Sequence, residues 1–113
     1  MLSLSGRELL ARFSPPALAS AAPLLFDVRE PWEVALARIE IDGAETLAVP
    51  MGEVPERLAE LDPARPIVCI CHHGVRSAHV AHFLAGHGFV VVYNLAGGID
   101  AWSEHVDARV PRY

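Results

Sequence analysis

Short apolar runs alternate along this chain with stretches in which apolar residues recur every three or four positions. Residues 24–28, 46–49, 67–70 and 90–93 are the short runs, each bounded by turn residues, as strands buried on both faces are. Residues 2–4 make a shorter candidate at an edge. Between them lie helical patterns. Ser5 with Glu8 three residues on is a capping box that opens a helix ending near Phe13, ahead of Pro15. Pro31 suits the first turn of a short helix to about Leu36, and Pro55 opens one carrying Leu58 and Leu61. Val80, Phe83 and Leu84 mark a helix over residues 76–87, stopped by Gly86 and Gly88, and the last helix covers residues 99–105. Residues 106–113 carry no period and are expected to pack on the surface. Strand alternating with helix predicts an α/β fold, a mostly parallel central sheet of about five strands with helices on both faces.

Size and charge narrow the picture. The 113 residues form one domain, 1–113, by the usual length prior, and 52% hydrophobic against 20% charged residues suits a compact fold. Fourteen acidic and nine basic residues give a net charge of -5 with no run of like charge, which argues against nucleic acid or an anionic membrane as partner. No apolar stretch approaches the ~20 residues of a spanning helix. The Ala-rich stretch over residues 17–26 is broken by Pro23 and preceded by Pro15 and Pro16, so it reads as mature, cytoplasmic protein rather than a leader. Cys69 and Cys71 are too close on one strand for good disulfide geometry, and a reduced compartment follows.

The chemistry concentrates in Cys71, His72, His73, Gly74, Val75, Arg76 and Ser77, between a buried strand and a helix start. Parallel sheets place ligand sites at the carboxyl ends of their strands. A helix N-terminus adds unpaired N–H groups and a positive dipole end, which stabilise an anion such as a thiolate. Gly74 lets successive N–H groups curl inward as an anion nest. Arg76, a cation where the dipole disfavours one, is explained by an anionic ligand. Cys69, two residues back on one strand face, is read as core. Asp27 and Arg29 are read as a buried or half-buried ion pair supporting the loop's surroundings, and Trp102 as core. The six histidines match no metal-ligand spacing, and adjacent His72 and His73 are expected to point different ways.

Cys71-x-x-Gly74-x-Arg76-Ser77 after a strand resembles the active-site loop of the rhodanese family. Residues 25–30 (LFDVRE) resemble that family's strand ending in Asp-x-Arg, and Gly97, Gly98 and Trp102 its late Gly-Gly-x-x-x-Trp element. Asp42, Gly43 and Ala44, leading to Val49 and Pro50, resemble a weaker signature. That signature usually carries a His and a Pro where this chain reads Ile39, Glu40, Ile41 and Asp42. The resemblance implies a three-layer rhodanese-like domain and a sulfurtransferase. Cys71 would accept a sulfane sulfur as a persulfide inside the anion-binding cradle of residues 72–77. The donor would be thiosulfate or a persulfide, the acceptor a thiol or cyanide, and either could be carried by a protein. No cofactor or metal is implied. Six residues from Cys71 through Arg76 match the sulfurtransferase loop, whereas related Cys-dependent phosphatases have one more. A non-catalytic rhodanese-like binding module is the other alternative.

Overall fold

A computed structural model describes residues 1–13 and 23–113. Five strands, β1 (Leu2–Leu4), β2 (Leu24–Asp27), β3 (Glu45–Ala48), β4 (Ile67–Ile70) and β5 (Val92–Leu95), form one sheet in the order β1-β5-β4-β2-β3, every pairing parallel. The α/β expectation holds. Among the described residues four α-helices accompany the sheet: α1 (Gly6–Phe13), α2 (Pro31–Leu36), α3 (Val75–Ala85) and α4 (Gly98–His105). Pro15, Pro16 and most of the Ala-rich stretch lie outside the described residues.

The middle strand, β4, is apolar throughout because both its faces are covered. Along β4, Val68 and Ile70 join one core with Leu9 of α1 and Ile99 and Trp102 of α4. Ile67, Cys69 and Cys71 alternate to the other face, under Val80, Ala81 and Leu84 of α3. Trp102 and Cys69 are thus core residues, 3% and 0% exposed. In α3, Ser77, Val80, Ala81 and Leu84 form the buried stripe, a spacing of three and four that keeps one face on the sheet. The expected capping box is present: the Glu8 N–H donates to Ser5 Oγ at 3.1 Å, and the Ser5 N–H to Glu8 Oε1 at 3.0 Å.

Two expectations need correction. The segment opened by Pro55 is not an α-helix but turns leading into a 3₁₀ turn at Leu58–Glu60, closed by Leu61 N–H to Leu58 O, and another 3₁₀ turn, Met51–Glu53, lies just ahead of it. The Leu58 and Leu61 spacing fits a three-residue period as well as a longer one, and Pro55 has no N–H to extend a ladder. The last strand begins at Val92 rather than residue 90, because Val92 is the residue that pairs with Ile67 while Val90 stands 77% exposed.

Candidate active site

Cys71 follows β4 directly and is 1% exposed. Its Sγ accepts a hydrogen bond from the Gly74 N–H at 3.0 Å and lies 3.2 Å from Ser77 Oγ. Gly74, the N-cap of α3, has φ +98°, and a side chain there would meet Gly97 N and Leu95 O at 3.1 and 3.3 Å. Both the backbone conformation and the space demand glycine. The N–H groups of Val75, Arg76 and Ser77 open the helix and have no carbonyl behind them within it. Val75 itself is 67% exposed.

The loop is held from below by the start of α4. Ile99 and Asp100 donate their N–H groups to Cys71 O and His72 O at 2.9 and 3.0 Å. Gly98 sits so close that a Cβ would fall 2.4 Å from Cys71 O, and its φ is +60°. The Gly97-Gly98 pair is therefore part of the loop's seat. The N–H groups that follow it satisfy the carbonyls that a sharp loop leaves unpaired.

Arg76 has a partner within the fold: its Nη1 and Nη2 donate to Glu33 Oε1 and Oε2 at 2.7 and 2.8 Å. Glu33, in α2, also receives the Glu30 N–H at 3.1 Å and the Tyr113 hydroxyl at 2.8 Å. The Arg76 guanidinium, helped by these bonds and opposed by burial, brings the Glu33 carboxyl down to about 2. The Arg76 guanidinium is pushed up in turn by Glu33.

Asp27 and Arg29 form a buried pair at 2.7 Å, Arg29 being 0% exposed. Beyond Asp27, the Arg29 guanidinium donates to Ala37 O at 2.6 Å, Glu33 O at 3.2 Å and the Tyr113 hydroxyl oxygen at 2.9 Å. Asp27, Arg29, Tyr113, Glu33 and Arg76 are therefore one connected network ending at the Cys71 loop. His72 and His73 do not diverge as expected: their rings stack at 3.9 Å, and His72 stacks on Tyr113 at 4.0 Å. The tail is not merely on the surface, since Val110 is buried and Tyr113 reaches the site. Among the described residues no cluster of His, Cys, Asp or Glu is arranged for a metal, and no helix is long and apolar enough to cross a membrane.

Three residues at the site have no place in the sequence reading: Glu33, Asn94 and Tyr113. Asn94, in β5, lies beside Ser77 with its Oδ1 2.5 Å from Ser77 Oγ, and its Nδ2 donates to Gly74 O at 3.1 Å. A polar residue directly after the last apolar run and ahead of Leu95 was the available signal for Asn94. Glu33 stands three residues after Glu30, a capping spacing, while nothing local marks Tyr113.

Comparison with known proteins agrees with this geometry. The rhodanese-like domain model matches residues 8–105. A sulfurtransferase of Allochromatium vinosum is 38% identical over 82 residues, 73% of this chain and 73% of the relative. Rhodanese-like/PpiC domain-containing protein 12 of Arabidopsis thaliana, a chloroplastic protein, is 35% identical over 106 residues. That match covers 94% of this chain and 35% of the relative, so the chain spans about a third of that protein's length. The crystal structure of a rhodanese-like domain protein from Staphylococcus aureus superposes with a TM-score of 0.77 at 27% identity, over 100% of this chain and 99% of that one. A family match that runs from α1 to the end of α4, on the same parallel sheet and through the Cys71 loop, has one reading: this chain belongs to the rhodanese-like domain family.

Proposed function

We propose that the chain is a sulfurtransferase, in which Cys71 takes a sulfane sulfur from thiosulfate or a persulfide donor and hands it to a thiol or cyanide. The observation that carries this reading is the Cys71 Sγ itself, at the end of the central strand β4, facing the Gly74 N–H at 3.0 Å and the open first turn of α3. The Cys71 thiolate attacks the outer sulfur of thiosulfate. Its electron pair makes the new S–S bond while the donor's S–S bond breaks, and that pair leaves with sulfite. One negative charge now rests on the outer sulfur of the Cys71 persulfide, where the unpaired N–H groups of residues 75–77 offer stabilisation without reorganising. A second nucleophile then attacks that outer sulfur and returns the thiolate, forming thiocyanate from cyanide or a new persulfide from a thiol. Electrons balance within these steps, so no redox cofactor or metal is needed.

Arg76, held half-exposed by Glu33, orients the loop and meets an anionic donor at its mouth, while Asp27 and Arg29 support that arrangement from beneath. His72 and His73 form one wall. A protein persulfide serves as donor or acceptor by the same chemistry. Two free cysteines suit the cytoplasm, where thiols persist.

Intact-protein mass spectrometry tests the proposal. Thiosulfate should add one sulfur atom and cyanide should remove it. Cys71→Ser should abolish the addition, and Cys69→Ser should keep it, because burial pushes the Cys69 thiol up to about 12 and leaves it unreactive. Sulfur on Cys69, or no uptake at all, sinks the transferase reading and leaves the binding module. Release of phosphate from an aryl phosphate faster than by Cys71→Ser protein would favour the phosphatase instead.

A further inference from the structure

Asn94 is the chain's only carboxamide side chain, and it is 5% exposed in a strand otherwise made of buried Val92, Tyr93 and Leu95. A buried amide in such a place must be fully bonded or it destabilises the sheet. Its orientation is determined by its neighbours. Nδ2 donates to Gly74 O at 3.1 Å, and turning the amide over would set two acceptors against each other there. Oδ1 therefore faces Ser77 Oγ, 2.5 Å away.

Ser77 is 0% exposed and its hydroxyl has one proton for two acceptors, Asn94 Oδ1 at 2.5 Å and Cys71 Sγ at 3.2 Å. The shorter, oxygen-to-oxygen contact takes it. Ser77 Oγ then turns a lone pair toward Cys71, and the Cys71 S–H donates to that lone pair. When Cys71 loses its proton to solvent, the anion is the stronger acceptor. Ser77 swings its proton onto Sγ and Asn94 Oδ1 is released. The hydroxyl keeps its own proton in both states; only its direction changes.

We propose that Asn94 is a positioning residue that acts on Cys71 through Ser77, setting whether the hydroxyl accepts from the thiol or donates to the thiolate. Through Gly74 O it also keeps the Gly74 N–H aimed at Sγ. The proposal rests on the reading of Cys71 as the nucleophile. It concerns a different residue and assigns it an action on a proton rather than on sulfur. Asn94 holds the resting hydroxyl away from Sγ, so the thiolate gains the Ser77 bond only by giving up the Asn94 bond.

A double-mutant cycle tests this on the full chain. The rate of Cys71 alkylation by iodoacetamide is followed from about pH 5 to about pH 10, with peptide mapping to separate Cys69. Arg76 from α3, His72 and His73 from the loop, Cys69 from β4, Glu33 from α2, Asp100 from α4 and Tyr113 from the tail are the charged and titratable groups about the loop. They are the same in every variant and cancel. Asn94→Ala frees the Ser77 proton for the thiolate but also loosens Gly74. The second effect is present in the Ser77→Ala background too, so the difference between backgrounds isolates the first. The midpoint shift caused by Asn94→Ala should lie about half a unit to one unit lower in pH with Ser77 present than in the Ser77→Ala background, the worth of one hydrogen bond. Asn94→Asp, close in shape, grips the same proton more tightly and should give a difference of opposite sign. Equal shifts in both backgrounds, or the same sign for Ala and Asp, overturn the proposal, and thermal melts identify any variant that has not folded. The two readings fail separately. A protein that takes up no sulfur yet shows the coupling refutes the transferase, whereas sulfur uptake without coupling refutes the role of Asn94.

Discussion

A carboxylate that is 3% exposed must be satisfied by the protein, and Glu33 accepts bonds from Glu30, Arg76 and Tyr113 on its two oxygens. Its folded value of about 2 lies below the ordinary carboxylate range, with the Arg76 bonds as the largest cause. The sign of the linkage follows: a lowered value stabilises the fold above the unfolded value of about 4.3, and that stabilisation is lost as pH falls toward about 2. Glu33→Gln should therefore melt several degrees lower than the parent at neutral pH and converge toward it as the pH drops from about 4 to about 2. Thermal melts across that window read the outcome, and parallel curves would mean that Glu33 is not ionically paired in solution. The same pair adds an internal partner to the reading of Arg76. A cation at a helix start invited an anionic ligand, but a carboxylate 43 positions earlier in the chain meets it first. A single sequence does not display that pairing, because neither residue carries a local sign of the other.

Among the elements, what the sequence made legible was the part governed by local physics. The Ser5 capping box, the Pro31 helix start and the apolar runs of β2 and β4 needed no partner to be read. The start of β5 did, since its boundary is set by register against Ile67 in a run that is apolar on both sides of the true limit. The Gly97-Gly98 pair was visible as a motif, yet its reason is tertiary: α4 begins against the carbonyls of Cys71 and His72. Gly98→Ala should consequently be severe, because a Cβ 2.4 Å from Cys71 O and a φ of +60° are both unfavourable. A cost of about 2 kcal/mol or more is expected, with sulfur uptake by Cys71 falling as the loop shifts. Gly52→Ala is the control, since nothing lies within 4 Å of its Cβ position, and its melting temperature should stay close to the parent's. Similar melting temperatures for both variants would contradict the seating of the loop on α4.

Across the whole molecule, the tail binds together parts that are far apart in sequence. Tyr113 accepts from Arg29 at 2.9 Å, donates to Glu33 at 2.8 Å and lays its ring on His72, while Val110 enters the core shared by α1 and α4. The phenol thereby ties the tail to the end of β2, the helix α2 and the Cys71 loop, which are also bonded to one another through Arg29, Glu33 and Arg76. Tyr113→Phe separates its two contributions, because it keeps the ring on His72 and removes the hydroxyl. Glu33 then retains Arg76 and the Glu30 N–H, and Arg29 retains Asp27 and two carbonyls, so neither charge is abandoned. The loss should be about 1–2 kcal/mol, a fall of roughly 4–12 °C in melting temperature for a domain of this size. Tyr113→Ala should fall further, because the stacking face over His72 goes as well. The Phe variant keeps the ring against His72 and under the Arg29 guanidinium, 5.7 Å from the ring centroid, so it should also weaken retention of the persulfide by Cys71 less than Ala does. If both variants melt with the parent, the tail is not docked on the network in solution, and the wall beside Cys71 is made by His72 and His73 alone.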